Sequence, residues 1–274
     1  MNVDRAAAST FAASDGDGYE LQMGRWSRRL APQLVVFAGL RGAVRVLDVG
    51  CGTGNLGLCL VEDSELLGVQ GLDIAPDYIA YARSRSTDAR LAFELGNACD
   101  LPHADACFDH AVSMLTLQFV PQFDLAVREM RRVTRPGGTV AAATWDTRGG
   151  GTVIRMIFDA AAMLDPQGGN AARAAAYTRP LSRPGELAQA WRGAGLTQVV
   201  QDTVAIRMDF ACFQDFWAPV EGREGPIAQY VASLGPTLRA ELREMVLSAY
   251  LDGEGDGPRS YSATAWVVKG CVPD

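Results

Sequence analysis

The sequence predicts an α/β fold: a doubly wound, mostly parallel seven-stranded sheet with helical cap elements. Short apolar runs alternate with amphipathic stretches between about residues 45 and 145, a pattern typical of parallel strands joined by helices. Such connections are right-handed in nearly all proteins, so the helices are expected to cover both faces of the sheet. The chain of 274 residues is long enough for one large domain of this kind.

Seven apolar runs are predicted as strands because each is short and bounded by turn residues. They are residues 45–49, 66–72, 91–95, 108–114, 139–144, 198–208 and 260–268. Helices are predicted over residues 21–40, 53–61, 77–84, 124–133, 153–163 and 185–193. The sequence Arg-Pro-Gly-Gly at 135–138 is expected to interrupt the chain before the fifth strand.

The chain divides into three parts. Residues 1–18 are small and polar, which predicts a disordered lead-in. Residues 19–145 hold the core of the sheet and an N-terminal lid helix, and residues 146–274 complete the same domain. An insertion at about residues 209–257 is rich in aromatic side chains and too long for a hairpin loop, so we expect a helical cap there.

Charge and cysteine content exclude several classes of protein. The net charge of −7 leaves no basic surface for a phosphate backbone, so we expect no nucleic-acid partner. Six cysteines without a C-x-x-C pair, and only two histidines, argue against disulfides and against a metal site. No apolar run reaches the about 20 residues of a membrane span, and no signal peptide is apparent. We therefore expect a soluble, cytoplasmic protein with reduced thiols, of unknown oligomeric state.

A glycine-rich loop follows the first strand, in the sequence VLDVGCGTG at residues 46–54. Glycines permit positive φ angles and let a ligand approach the backbone, and the start of the next helix favours an anionic group. The loop lacks the lysine of a P-loop, and Asn55 replaces the third glycine of a dinucleotide-binding loop. The remaining pattern, G-x-G-x-G preceded by Asp48, predicts a nucleotide-type ligand; a glycine turn without a ligand is the alternative.

Candidate adenosine contacts end the next three predicted strands. Asp73 closes the second strand, where a carboxylate can accept both ribose hydroxyls or, alternatively, cap a helix. Asn97 and Ala98 follow the third strand, and Met114 ends the fourth. Because the carboxyl ends of parallel strands meet at one edge of a sheet, these residues are expected to form one site.

Five segments between residues 46 and 138 together resemble the class I S-adenosylmethionine-dependent methyltransferases. They are VLDVGCGTG, GLDIAP, GNACDLP, FDHAVSMLTLQFV and EMRRVTRPGG. The group they resemble most is the small-molecule enzymes of ubiquinone and menaquinone biosynthesis, methyltransferase type 11. The resemblance implies a Rossmann-like methyltransferase fold, S-adenosylmethionine as the cofactor, and a small molecule as the methyl acceptor.

The resemblance also implies where the cofactor binds. Gly50, Cys51 and Gly52 would lie against its methionine part, with Asp48 nearby. Asp73 would hold the ribose hydroxyls.

The adenine contacts implied by the resemblance come from the next strand ends. Ile74 would pack on the ring, Asn97 and Ala98 would read its edge, and Met114 would cover the ring or the ribose. Two residues depart from the family pattern, since Asn97 stands where aspartate is more common and His103 where an aromatic residue often follows Leu-Pro. An amide can still accept from the adenine amino group and donate to a ring nitrogen.

The N-terminal segment at residues 19–26 (YELQMGRW) resembles the lid of these enzymes. The resemblance implies that Tyr19 and Arg25 approach the cofactor and that Arg25 pairs with its carboxylate. An ordinary amphipathic helix with a solvated Arg25 is the alternative.

No catalytic residue is assigned, because methyl transfer from a sulfonium depends mainly on alignment and exclusion of water. His110 is expected in the core and His103 at the surface, while Asp146, after the fifth strand, is the better-placed candidate base. The acceptor site is expected under the N-terminal helix, the segment after Trp145 and the aromatic insertion. Two other functions remain open: a cofactor-binding protein without turnover, and an NAD-dependent oxidoreductase.

Overall fold

The computed structural model describes residues 9–11, 13 and 15–274 and confirms the predicted fold class. The strands of this part of the chain are β1 Arg45–Val49, β2 Gly68–Asp73, β3 Leu91–Leu95, β4 Phe108–Met114, β5 Thr134–Trp145, β6 Thr197–Phe210 and β7 Arg259–Cys271. They form a sheet in the order β3-β2-β1-β4-β5-β7-β6. Strands β1 to β5 pair in parallel, whereas β7 is antiparallel to both β5 and β6.

Helices cover both faces of this sheet. In chain order they are α1 Gly16–Tyr19, α2 Arg25–Ala38, α3 Asn55–Leu60, α4 Pro76–Ser84, α5 Phe123–Val133, α6 Thr152–Leu164, α7 Gly168–Tyr177, α8 Glu186–Gly193, α9 Phe213–Trp217, α10 Gly225–Ser233 and α11 Pro236–Leu251. A π-helical turn at Glu20–Gly24 joins α1 to α2. One buried apolar cluster includes residues of α2, α3 and α6, and a second includes residues of α5 and α8. The carboxyl ends of the parallel strands lie between these layers, as the crossover topology requires.

The fifth strand begins earlier than predicted. Thr134 already pairs with Phe108, and the ladder then shifts register before Thr139 pairs with His110. Between the two pairs the chain forms a bulge in which Gly137 has a φ of +74°. The Pro-Gly-Gly sequence therefore bulges the strand rather than preceding it.

From residue 15 onward the structure describes the N-terminal segment without a gap. The Asp15 carboxylate accepts the backbone N–H groups of Asp17 and Gly18, at 3.2 and 3.1 Å, and so caps α1. Residues 16–18 are thus helical, where the sequence predicted the end of a disordered lead-in. Residues 1–8, 12 and 14 of that predicted lead-in lie outside the described residues.

The insertion between β6 and β7 forms the predicted helical cap, with α9, α10 and α11. Phe213 stacks on Trp217, with ring centres 5.8 Å apart, and meets Tyr250 edge-on at 5.6 Å. These rings are buried and give the cap an apolar core of its own. Across the described residues, no helix is both long and apolar enough to cross a bilayer.

Candidate functional site

A cavity of about 200 Å³ lies at the carboxyl ends of the parallel strands, and we call it the main cavity. Eight of the eleven predicted cofactor residues line it: Tyr19, Arg25, Gly50, Gly52, Asp73, Ile74, Asn97 and Ala98. The other three, Asp48, Cys51 and Met114, line a smaller side pocket that shares Tyr19 and Gly50 with the main cavity. The structure therefore brings all eleven residues to one end of the sheet.

Two halves of the main cavity differ in chemistry. The polar half carries the glycine loop and the ends of β2 and β3, including Gly52, Asp73 and Asn97. The apolar half lies under α2, α6 and the cap, where the acceptor site is predicted. Its lining includes Trp26, Trp145, Ile157, Phe158, Phe210 and Phe216, all of which are buried. Phe210 and Phe216 thus face the cavity, whereas other aromatic rings of the insertion pack within the cap.

The glycines of the loop serve different purposes. A Cβ on Gly50 would lie 2.2 Å from the Cγ2 of Thr116, whose hydroxyl donates to the Gly50 carbonyl at 2.8 Å. Gly52 has a φ of +53°, and the heavy atom nearest to a Cβ there would be 3.9 Å away, on Tyr19. Gly50 is therefore required for packing, and Gly52 leaves open space that a ligand can occupy.

The carboxylate of Asp73 is fixed at the edge of the main cavity. Its Oδ2 accepts the N–H of Gly52 and its Oδ1 accepts the N–H of Ala75, each at 2.9 Å. A carboxylate oxygen can accept more than one hydrogen bond, so these two contacts do not exclude ribose hydroxyls as further donors. Asp73 makes a turn contact to Ala75 rather than the helix cap considered as its alternative role, and it lines the main cavity.

Asp48 is a buried acid without a partner. Its side chain lies in the side pocket, and neither carboxylate oxygen has a hydrogen-bond partner within the described residues. Burial and, to a smaller extent, the negative charge of Asp73 together raise the pKa of Asp48 from its usual 3.8 to about 8. A buried carboxyl group without a hydrogen-bond partner lowers the free energy of unfolding unless a ligand supplies a donor. A cationic donor stabilises the carboxylate most.

Replacing Asp48 with asparagine should stabilise the unliganded protein. Asparagine has nearly the same shape but carries no charge to desolvate. Because the folded-state pKa of Asp48 is about 8 rather than 3.8, the wild-type protein loses stability as the pH rises between these values. The gain in unfolding free energy for Asp48→Asn should therefore grow with pH, by about 1.4 kcal/mol per pH unit. Thermal unfolding at about pH 5 and pH 8 measures it, and equal shifts at both pH values would contradict the burial of an unpaired carboxyl group.

Two of the predicted residues, Met114 and Cys51, line the side pocket and not the main cavity. Met114 was predicted to cover the adenine or the ribose, but it lies in the core beside the side pocket. Leu115 lines the main cavity instead, because its φ of +63° turns the chain at the end of β4. Cys51 belongs to a small buried cluster with Ile79 and Phe93, and burial raises the pKa of its thiol.

Arg25 forms a salt bridge with the cap. Its Nη1 lies 2.6 Å from the Oδ1 of Asp215. The guanidinium also lies over the rings of Trp26 and Phe210, 4.4 and 4.9 Å from their centres. The alternative of a solvated Arg25 is therefore wrong, and the predicted pairing with a cofactor carboxylate remains a proposal.

Glu224 joins the cap to the N-terminal segment above the polar half of the cavity. Its carboxylate accepts the N–H of Asp15 at 2.8 Å and the hydroxyl of Tyr78 at 2.5 Å. Its carbonyl accepts the side-chain amide of Gln22 at 2.6 Å. Sequence reasoning missed this buried connection, because the partners are distant in the chain and belong to no motif.

The predicted adenine contacts lie together at the ends of β2 and β3. Ile74, Asn97 and Ala98 all line the main cavity. The Oδ1 of Asn97 accepts the N–H of Cys99 at 3.0 Å. This contact orients the amide so that Nδ2 can donate to a ring nitrogen.

The candidate bases differ in position. His110 is half-buried on β4, where its Nδ1 accepts the N–H of Thr139 at 3.1 Å, and burial lowers its pKa. His103 lies 2.8 Å from Glu94, and its side chain is partly exposed (15%). Neither histidine lines the main cavity, but Asp146 does. In the described part of the chain, no group of three or more acidic, histidine or cysteine side chains could hold a metal ion.

Comparison with known proteins identifies the family. Residues 47–142 match a family described as a methyltransferase domain. The chain is 31% identical to the malonyl-[acyl-carrier protein] O-methyltransferase of Erwinia pyrifoliae over 211 residues, which cover 72% of this chain and 77% of that relative. The chain belongs to the class I S-adenosylmethionine-dependent methyltransferases. Its identity with the fatty-acid O-methyltransferase of Mycolicibacterium smegmatis is 36% over 117 residues, 43% of this chain and 42% of that protein.

One further relative and two solved structures extend the comparison. The chain is 34% identical to an uncharacterised protein of Mycobacterium tuberculosis over 53% of its own length, and it spans about half (54%) of that relative. The structure of a Bacillus halodurans protein described as a methyltransferase matches 89% of this chain and 99% of its own, with a TM-score of 0.59 and 16% identity. Phosphoethanolamine N-methyltransferase 2 of Haemonchus contortus, in complex with phosphomonomethylethanolamine and S-adenosylhomocysteine, has a TM-score of 0.58 at 16% identity and matches 94% of this chain and 57% of its own. These two structures share the methyltransferase fold.

The site fits the cofactor of the methyltransferase family. S-adenosylmethionine carries an ammonium group, which supplies the donor that the buried Asp48 lacks among the described residues. Its ribose hydroxyls match the fixed carboxylate of Asp73, and the open space at Gly52 admits its amino acid part.

Proposed function

We propose that the chain transfers a methyl group from S-adenosylmethionine to a small, largely apolar molecule. The observation that supports this most is the continuity of the main cavity, which joins the glycine loop and Asp73 to the apolar half under the cap. Two relatives are named as O-methyltransferases of fatty acids and of malonyl-[acyl-carrier protein], which supports a small acyl-type acceptor.

The residues would act by binding, alignment and exclusion of water. When bound, the cofactor supplies a methyl group on a strongly activated sulfonium. We propose that Asp48 and Asp73 hold its amino acid and ribose parts, while Ile74 and Asn97 contact its adenine. The buried rings of the apolar half keep water away from the acceptor and hold it in line, so that no base is needed if the accepting atom carries no proton.

The experiment that tests this proposal is a turnover assay. The purified protein is incubated with S-adenosylmethionine and a panel of fatty acids and aromatic acids, phenols and amines, and release of S-adenosylhomocysteine is followed by mass spectrometry. Release that depends on one class of acceptor is expected. Tight binding of the cofactor without release for any acceptor would favour the alternative, a binding protein without turnover.

Replacing Arg25 with methionine should weaken S-adenosylhomocysteine binding about 10-fold, because Arg25 lines the main cavity and is proposed to pair with the ligand carboxylate. Affinity for 5′-methylthioadenosine, which lacks the amino acid part, should not change. Asp215→Asn is the matched control, since it removes the salt bridge to the cap and keeps the guanidinium. Equal losses for both ligands would show that Arg25 acts only by holding the cap.

We also propose that the protein works in the cytoplasm. Its six cysteines are all free thiols, including the exposed Cys107, as expected in a reducing compartment.

A further inference from the structure

One arginine on the main cavity has no counter-charge among the residues that the structure describes. Among these residues, four charged side chains line the cavity: Arg25, Asp73, Asp146 and Arg179. The first is paired with the cap, and both acids accept backbone N–H groups. The guanidinium of Arg179 makes no hydrogen bond or ion pair with any described residue and lies over the Phe119 ring, 4.8 Å from its centre. Burial lowers its pKa to about 10, so it stays charged at neutral pH without a partner.

Arg179 is positioned by two contacts to the end of β5. Before it, the Ala176 carbonyl accepts the hydroxyl of Thr147 at 3.0 Å. After it, the Leu181 carbonyl accepts the hydroxyl of Thr144 at 2.6 Å. The candidate cofactor residues lie at the ends of β1 to β4, whereas Thr144 and Thr147 lie at the end of the next strand, β5. Arg179 therefore belongs to the acceptor side of the cavity.

The surroundings of Arg179 are apolar. Phe119, on whose ring the guanidinium lies, also lines the main cavity, as do Trp145, Phe158 and Ala176. A charged guanidinium there is stabilised by a ligand that brings one anionic group and otherwise apolar surface. A single planar guanidinium matches the two oxygens of a carboxylate. A more highly charged phosphate would call for a second cation, and the other arginine that lines the cavity, Arg25, pairs with Asp215 and is proposed to hold the cofactor carboxylate.

We propose that Arg179 binds a carboxylate of the methyl acceptor, so that the acceptor is an amphipathic carboxylic acid. The inference rests on the proposed function and narrows its substrate class. Arg179 sets the position of the acid group, and the apolar half receives the rest of the molecule.

The test measures binding of three probes of equal chain length to the protein saturated with S-adenosylhomocysteine. The probes are decanoate, decan-1-ol and decylammonium, and calorimetry or tryptophan fluorescence gives their affinities. The wild-type protein is expected to bind decanoate about 10- to 100-fold more tightly than the alcohol. A charge-assisted hydrogen bond between Arg179 and the carboxylate accounts for a difference of this size. Arg179→Met should remove this preference and leave the affinity for the alcohol unchanged. Arg183→Met, which removes an exposed arginine nearby, should keep the preference.

Several results would overturn the proposal. They are equal binding of decanoate and decan-1-ol by the wild-type protein, a preference for decanoate that survives in Arg179→Met, and binding of none of the probes. The affinity of Arg179→Met for S-adenosylhomocysteine tests another role for this residue. A large loss of that affinity would mean that Arg179 pairs with the cofactor carboxylate instead. If the wild-type protein does not bind S-adenosylhomocysteine at all, the proposed function fails rather than the role of Arg179.

Discussion

Replacing Gly52 with valine should abolish binding of S-adenosylmethionine and S-adenosylhomocysteine. The side chain would project into the open space beside Tyr19, where the amino acid part of the cofactor is proposed to lie. The backbone at Gly52 has a φ of +53°, so valine also strains the loop, by about 1–2 kcal/mol. We expect an affinity at least about 100-fold lower. The loop is well packed, so small shifts cannot move the valine side chain out of the space that the ligand needs.

A matched glycine separates strain from obstruction. Gly253 has a φ of +80° and open space around its Cβ position, but it lies in the cap away from the main cavity. Gly253→Val should therefore lower the melting temperature about as much as Gly52→Val and leave cofactor affinity unchanged. Near-normal affinity in Gly52→Val, measured by calorimetry on protein with a cooperative melting transition, would show that the loop is not the binding site.

Replacing Asp73 with alanine should reduce cofactor affinity by at least about 100-fold. Two charge-assisted hydrogen bonds to the ribose hydroxyls would be lost, each worth about 1.5–3 kcal/mol. The loop would also loosen, because the carboxylate holds the N–H groups of Gly52 and Ala75. Asp73→Asn keeps the shape and one acceptor oxygen, so its loss should be smaller.

A ligand without ribose hydroxyls isolates the role of Asp73. The 2′,3′-dideoxy analogue of S-adenosylhomocysteine should bind the wild-type protein weakly and should lose little further affinity in Asp73→Ala. Comparing both ligands in both proteins isolates the energy of the contact between Asp73 and the ribose hydroxyls, because loosening of the loop weakens both ligands alike. If Asp73→Ala weakens both ligands by the same factor, Asp73 supports the loop and does not bind the ribose.

The parts of the fold closest to the prediction are those fixed by local pattern. The bounds of β1, β3 and β4 agree with the sequence because each is a short apolar run between turn residues. Helix α7 was missed, since Gly168–Tyr177 is built largely from glycine and alanine and shows no apolar periodicity. The position of Leu115 on the main cavity could not be predicted for another reason. It depends on a positive φ, and a positive φ in a non-glycine residue cannot be read from the sequence.

Residues that reach the site from the second half of the chain could not be predicted. Arg179 follows α7, and its place beside β5 depends on tertiary hydrogen bonds to Thr144 and Thr147. Glu224 contacts Asp15 across most of the length of the chain. The sequence between Trp145 and β6 has no motif that fixes such contacts, so the acceptor side of the site, which sets substrate choice, was the least predictable.

The cofactor side of the site combines binding chemistry with a cost in stability. The unpaired Asp48 and the nearby Asp73 place two acids close together around the glycine loop. Such an arrangement destabilises the free protein and favours a cationic ligand, which is a common compromise at functional sites. Stabilisation of the unliganded protein by Asp48→Asn, together with loss of cofactor affinity, would be the direct sign of it.

Calorimetric titration of the purified protein with S-adenosylmethionine, S-adenosylhomocysteine and NAD tests the central claim most directly. Binding of the first two ligands in the micromolar range, with no heat from NAD, is the predicted result. It would assign the main cavity to the methyl donor and its product. Binding of NAD alone, or of none of the three, would contradict the assignment of the glycine loop, Asp48 and Asp73 to S-adenosylmethionine.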